Sequence, residues 1–395
     1  MKRIPLLLLF LSLLLRVEAQ IQLPIDRIEA LVEAYEASDS SAQASVAELM
    51  ALAESDYLKM DPLYVTQKQT LPPSGDKRDY MTLSPYWWPD PQSPNGLPYI
   101  RRDGERNPEV YNYPERENSG RLGEATLTLG LLYRVTGREI YAEKCASLIR
   151  AWFLDSEQGM HPNMRYAQLI PGRKTLRGTG IIDSRRFMSA VSAARLLEGS
   201  AAWCAADEAA LRGWCNEFLT WLEQSEQGQK EMKAGNNHGL WYDAIRLMCM
   251  AYLKDQERME RVMTESLIPR LEVQISPEMT LPRELERTLS LHYTTFALEA
   301  LTTASSLIGP ASEQMWRYES SDGRSLVRLI EGLIPYYLKP ESWPYRQINP
   351  FERDRAARLL DQVGNLLGRE EWVALAAQIG CGGTPLESAL YFDRQ

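Results

Sequence analysis

The chain has 395 residues, 44% hydrophobic and 25% charged, the balance of a globular protein rather than a disordered or fibrous one. Its net charge of −9 leaves no global basic field, which argues against a nucleic-acid partner; an anionic ligand would need arginines gathered locally. Length alone allows two or three average domains, but toroids and barrels of this size are single units, and 20–395 is read as one domain.

Lys2 and Arg3, the short apolar run 6–15, and Val17-Glu18-Ala19 form a basic, apolar and small-residue series. That order predicts a secretory signal over 1–19, a mature start at Gln20, and a periplasmic or secreted protein. The apolar run is too short to span a membrane comfortably, no cysteine beside the cleavage site offers a lipid anchor, and no later segment reads as transmembrane.

The stretch 71–114 is dense in Pro, Gly, Asp and aromatics, including Tyr86-Trp87-Trp88-Pro89-Asp90-Pro91. Disordered linkers are poor in aromatics, so Trp87, Trp88, Tyr99, Tyr111 and Tyr113 mark it as a functional loop. Helical periodicity then predicts helices over 122–135, closed by Gly137, and over 139–154. A second irregular stretch, 160–180, carries Pro162, Asn163, Pro171, Gly172 and Gly178. Further helices are expected over 182–197 and 207–225. In the latter, Leu211, Trp214, Cys215, Phe218, Trp221 and Leu222 share a face and Asp207 is placed as N-cap. The pattern continues over 241–253, 258–267 with Pro269 as its stop, 291–307 with Ser290 as N-cap, and 325–334 with Pro335 as its stop; short helices follow Phe351. No strand alternation is apparent. Helical hairpins in series at this length predict an all-α fold, an α/α toroid, with an irregular α-solenoid as the competing architecture. The five cysteines fit no zinc spacing. Cys145 and Cys249 read as buried thiols, while a Cys204–Cys215 bridge stays open in an exported protein.

Four groups carry chemistry. Asn236-Asn237-His238 precedes an apolar helical run, where two amides beside an imidazole can hold a carboxylate and move a proton. Arg287 and Tyr293 form the second group; they converge only if Arg287 lies in the loop before Tyr293's helix, and an arginine there would lower the phenol's pKa. Third come aromatics able to face sugar rings: Trp87, Trp88, Trp241, Tyr242, Trp343 and Tyr345. Fourth are basic residues in or beside the irregular stretches, among them Lys77, Arg101, Arg102, Arg173, Arg177, Arg185 and Arg186, which would line a basic groove if the loops share a face. Pairs such as Arg185-Arg186 are ordinarily solvated surface. No nucleophile elbow, phosphate loop, dinucleotide fingerprint or His-x-x-x-His pair is present.

Taken in order, Pro72-Pro73-Ser74-Gly75-Asp76-Lys77, then 79–91 with Trp87-Trp88-Pro89-Asp90, then 96–104, Pro162-Asn163, Tyr166-Ala167-Gln168, Gly180-Ile181-Ile182-Asp183, Asn236-Asn237-His238, 287–293 and Trp343-Pro344-Tyr345 resemble the alginate lyase superfamily of polysaccharide lyases. The resemblance implies an α/α toroid and β-elimination without metal or cofactor, on alginate or, as in some relatives, glucuronan. It implies Asn237, His238, Arg287 and Tyr293 as the catalytic set. Expected around the polymer are Lys77, Trp87, Trp88, Arg101, Arg102, Tyr166, Gln168, Asn236, Trp241, Tyr242, His292 and Tyr345. The spacing between Arg287 and Tyr293, and the added His292, differ from the mannuronate-specific branch. A non-catalytic glycan-binding protein and an α/α-toroid glycoside hydrolase are the other classes; an acid pair for the latter could lie among the 53 acidic residues.

Overall fold

A computed structural model describes residues 25–380, 384–387, 389 and 390. The segment 1–19 read as a secretory signal, Gln20 and Cys381 lie outside the described residues. The helices are α1 (Ile25–Glu36), α2 (Ser40–Ser55), α3 (Glu115–Thr136), α4 (Glu139–Ile149), α5 (Arg185–Ala194), α6 (Ala205–Gln224), α7 (Glu226–Met232), α8 (Asn237–Leu253), α9 (Gln256–Val262), α10 (Ile268–Gln274), α11 (Pro282–Leu285), α12 (Ser290–Ile308), α13 (Glu313–Trp316), α14 (Leu326–Leu338), α15 (Arg353–Leu367) and α16 (Glu370–Ile379).

They form two layers. Helices α3, α5, α8, α12 and α15 pack side by side in that order, and α2, α4, α6, α9 and α13 pack outside them. The burial pattern explains the sorting. On α6 only the stripe of Leu211, Trp214, Cys215, Phe218, Leu219 and Leu222 is buried, as on a helix with one face in solvent. On α8 every residue from Gly239 through Ile245 is buried, as on a helix enclosed all round. Small residues let the inner helices approach. A Cβ on Gly123 of α3 would lie 2.3 Å from the Arg186 carbonyl oxygen of α5, so only glycine fits that crossing. Between the layers Phe153, Phe187, Trp214 and Phe218 pack with centroids 4.8–6.2 Å apart, each worth about 1.5–3 kcal/mol by burial. An Arg27–Asp361 ion pair at 2.6 Å joins α1 to α15, bringing the first hairpin against the last. This is the α/α toroid expected from the hairpin series, not an open solenoid.

Local chemistry departs from the sequence reading in several places. Helix α6 begins at Cys204 rather than Asp207; Asp207 accepts the Cys204 N–H at 3.0 Å from inside the first turn and pairs with Arg150. Leu289 is the N-cap of α12, and Ser290, its first residue, donates to the Arg346 carbonyl at 2.8 Å. Pro269 does not stop a helix: after a wide π-type turn over Met263–Leu267 it sits in the first turn of α10, where its missing N–H costs nothing. Pro335 lies within the last turn of α14, which runs on to Leu338. Gly137 does close α3, at φ 67°. Cys145, Cys204, Cys215 and Cys249 are free thiols. Cys204 and Cys215 are separated by three turns of α6, about 16 Å along the axis, far beyond disulfide reach.

Strands do occur, all short and all in the irregular stretches. Strand β1 (Met81–Leu83) pairs in parallel with β4 (Tyr166–Leu169), and β2 (Trp87–Trp88) pairs antiparallel with β3 (Ile100–Arg101). The first sheet fastens the two irregular stretches to each other. Asp183 reinforces it, accepting from Thr82 at 2.9 Å, Gln168 at 2.8 Å and Arg116 of α3 at 3.1 Å. A buried Lys68–Glu115 ion pair at 2.9 Å anchors the approach to the first stretch on α3. No helix among the described residues is long and apolar enough to cross a membrane.

Candidate active site

The start of α8 sets the first two groups. Asn236 is the N-cap, its side-chain oxygen accepting from the His238 N–H at 3.2 Å, which fixes the amide at the helix end. Asn237 follows, fully buried. Its backbone N–H and its Nδ2 donate to the two carboxyl oxygens of Glu284, at 2.6 and 2.7 Å, and its Oδ1 is buried without a hydrogen-bond partner. His238 remains partly open, and its Nδ1 lies 2.6 Å from Oε1 of the buried Glu231 on α7. A carboxylate there holds the proton on Nδ1 and leaves Nε2 with a free lone pair.

Arg287 does lie in the loop between α11 and α12, as convergence with Tyr293 requires. Its guanidinium packs on the Tyr293 ring, 3.6 Å from the centroid, and grips Asp103 by Nη2 at 2.7 Å and Nε at 3.0 Å. Asp103 also accepts from the Thr288 N–H at 3.1 Å and pairs with Arg101 at 2.6 Å. Gly104, at φ +79°, makes that approach possible, since a Cβ would stand 2.4 Å from Thr288 Oγ1. The paired arginines and the Thr288 N–H hold the Asp103 carboxyl well below the usual carboxylate range, against the effect of its burial.

The Tyr293 hydroxyl donates to the Tyr86 hydroxyl at 3.0 Å. Burial first, then Tyr86, raises its pKa well above the ordinary tyrosine range, and Arg287 pulls the other way without prevailing. The sequence expectation that an arginine would open the phenolate is therefore corrected: in the free site Tyr293 is a phenol. His292 is neutral as well. Burial, then Arg355, lowers it to about 2, and Arg355 Nη1 lies 2.7 Å from its Nε2. It cannot serve as a cation for a carboxylate.

The aromatic assignments divide. Trp241 is 1% exposed, with Nε1 donating to the Phe296 carbonyl at 3.1 Å; Tyr242 is 0% exposed, with its hydroxyl donating to the Leu222 carbonyl at 2.8 Å. Both are core residues, because the inner position of α8 turns those faces into packed helices, and neither can meet a sugar. Tyr166 is buried in β4, where it pairs with Met81 of β1. Gln168 commits its amide N–H to Asp183. Trp87 and Trp88 are half-buried and arginine-stacked: Arg173 lies 4.4 Å and Arg177 5.7 Å from Trp87, and Arg102 5.1 Å from Trp88. Tyr345 is exposed beside Trp343, and Lys77 is exposed while its carbonyl receives the Lys68 ammonium at 2.8 Å. The Arg185-Arg186 pair is not solvated surface. Arg186 is buried, and the half-buried Arg185 guanidinium lies 5.4 Å from the Trp241 ring and 5.1 Å from that of Phe296. Burial lowers both to about 10, with Arg116 and Arg355 adding to it for Arg185.

Thus Asn237 and His238 of α8 are held by Glu284 of α11 and Glu231 of α7, while Arg287 and Tyr293 of α12 and its preceding loop are held by Asp103 and Tyr86 of the first irregular stretch. The supporting residues Tyr86, Asp103, Glu231 and Glu284 were not singled out from the sequence. Tyr86 and Asp103 had a signal, their place within the stretches 79–91 and 96–104, and Glu284 lies three residues before Arg287; Glu231 had none. Among the described residues no group of His, Cys, Asp and Glu is arranged to hold a metal ion.

A family model described as alginate lyase matches residues 64–343. An alginate lyase from Bacteroides ovatus is 34% identical, with a TM-score of 0.87 over 93% of this chain and 97% of its own. Alginate lyase A1-III from Sphingomonas species A1 is 15% identical, with a TM-score of 0.52 over 89% of this chain and 94% of its own. A histidine-to-alanine variant of alginate lyase A1-III complexed with a tetrasaccharide is 15% identical, with a TM-score of 0.55 at the same coverage. At 15% identity the likeness shows the fold alone. No curated protein matches the chain.

Proposed function

The chain belongs to the alginate lyase family and is a polysaccharide lyase, and from that premise we propose that it cleaves alginate by β-elimination at a uronate held among Asn237, His238, Arg287 and Tyr293. The C5 proton of a uronate is too weakly acidic to leave unaided. It becomes removable when the neighbouring carboxylate is hydrogen-bonded so that charge can spread onto it. Asn237 is assigned that task, with Arg287 supplying positive potential beside Tyr293.

The observation that carries the reading is the pair of oppositely prepared proton groups. His238 is held by Glu231 with a lone pair on Nε2, and Tyr293 is held as a phenol. In guluronate the C5 proton and the leaving oxygen lie on opposite faces, so His238 takes the proton and Tyr293 gives one to the glycosidic oxygen. In mannuronate both lie on one face; Tyr293 must then first lose its own proton to solvent, after which the phenolate, steadied by the guanidinium against its ring, takes the C5 proton and returns it to the glycosidic oxygen. Either route leaves an unsaturated uronate at the new non-reducing end. Trp87 and Trp88, with the arginines stacked on them, would bind neighbouring sugars. A β-linked glucuronate polymer shares the same-face geometry of mannuronate and is the close alternative substrate. The basic, apolar and small-residue order at the N-terminus supports a site of action in the periplasm or outside the cell.

The test is a panel of mannuronate, guluronate and glucuronate polymers, read by ultraviolet absorbance of the new double bond and by product size. Chain cleavage without that absorbance would indicate a hydrolase and overturn the reading.

A further inference from the structure

An ionised uronate carboxylate can only accept hydrogen bonds. Yet the free site has Asn237 turned the wrong way to donate: Nδ2 is spent on Glu284, and the atom left over is Oδ1, buried and without a partner. An amide's oxygen and NH2 have nearly the same shape, and a half-turn exchanges them without disturbing the packing. What selects between the two orientations is Glu284. As a carboxylate it accepts both the Asn237 backbone N–H and Nδ2, which fixes Oδ1 outward. As a carboxylic acid it still accepts the backbone N–H on Oε1, but the O–H on Oε2 now donates to Oδ1. Nδ2 is then released toward the substrate.

We propose that Glu284 is a positioning residue of the lyase reaction: it holds a proton in the working enzyme and so keeps Asn237 with Nδ2 facing the uronate carboxylate. This rests on the reading of Asn237 as the group that clamps that carboxylate. The surroundings favour the protonated form. Glu284 is 2% exposed, and burial raises its pKa against the Asn237 bonds and the charge of Arg287. Arg287 is itself engaged by Asp103, which weakens its hold on Glu284. The proton comes from solvent and returns to it; none is consumed in the elimination.

Glu284→Gln separates the possibilities, because glutamine is isosteric and permanently un-ionised. Its carbonyl must face the Asn237 backbone N–H, so its NH2 must face Oδ1, locking the amide with Nδ2 outward. The expected result concerns the pH profile of kcat/KM on whichever uronan the wild type cleaves. Wild type falls about tenfold per pH unit above the Glu284 pKa, whereas E284Q remains active and lacks that alkaline limb. Calorimetry of unsaturated oligouronate binding above that pH, in buffers of different ionisation enthalpy, should show proton uptake by wild type and none by E284Q. The proposal is overturned if folded E284Q loses about a hundredfold or more at every pH, since that would mean the reaction needs Oδ1 outward or a charged Glu284. It is equally overturned if E284Q keeps the wild-type profile, or if binding takes up no proton. A wild type that makes no unsaturated product from any uronan would instead refute the assigned reaction, and this inference with it.

Discussion

Replacing Asp103 with asparagine tests how the first irregular stretch is coupled to the catalytic cluster. Asp103 receives Nη2 of Arg287 at 2.7 Å, Nε at 3.0 Å, and the Thr288 N–H at 3.1 Å. Asparagine keeps one acceptor and turns an NH2 toward the other donors. Two charge-assisted bonds at about 1.5–3 kcal/mol each, less what the remaining oxygen recovers, put the loss at about 2–4 kcal/mol. Unfolding entropy of about 2.1 cal/mol/K per residue gives about 0.8 kcal/mol/K for a chain of 395 residues, so Tm should fall by about 3–5 °C. The pH dependence supplies the sign. The carboxyl's native pKa is depressed, so its stabilisation is fully present above the unfolded value of about 3.9 and is lost as pH falls through the native one. Wild type and D103N should therefore differ at pH 7 and converge in strong acid. Arg287, no longer tethered, should drift from the Tyr293 ring, and kcat should fall about tenfold or more. Thermal scans from pH 7 downward, with kcat measured in parallel, check both. A Tm difference that persists unchanged into strong acid, or an unaltered kcat, would refute the reasoning.

Tyr293→Phe should leave the fold intact and remove about two to four orders of magnitude of kcat on every uronan tested; retention of most activity on all of them would show that the proton carrier lies elsewhere. Glu231→Gln should lower kcat by about 10–100-fold with little change in Tm, because it loosens the tautomer and orientation of His238; an unchanged kcat would mean that His238 needs no such partner. Trp241→Ala should cost about 3–5 kcal/mol of stability as a core truncation, whereas Trp87→Ala should leave stability nearly unchanged and raise KM. The reverse pattern in melting and kinetics would place the sugar platform on Trp241.

Much of the fold was legible because helical periodicity survives into burial. The stripe of α6 and the Gly137 stop of α3 were both readable, as was the order of hairpins. Where one residue competes with another for a local role, the reading slipped. Asp207 and Ser290 are good N-caps by type, yet Cys204 and Leu289 hold those positions because Arg150 and the Arg346 carbonyl claim the polar side chains. Prolines 269 and 335 were read as stops because sequence does not reveal where a turn widens or how near a helix already is to its end. Trp241 and Tyr242 were taken for sugar contacts from their place beside His238. On an enclosed helix adjacent residues point in different directions, and these two point into the core.

The residue types that carry the chemistry, an amide-imidazole pair and a tyrosine with an upstream arginine, were determined by the sequence alone, since their identity and order fix what protons and hydrogen bonds they can offer. Their state was decided only by tertiary structure. Whether Tyr293 is phenol or phenolate, which nitrogen of His238 is free, and which end of the Asn237 amide faces outward depend on Tyr86, Glu231 and Glu284. These are ordinary residues in sequence, brought within 3.0 Å by distant parts of the chain, and a hydrogen bond or a desolvation acts only at that distance.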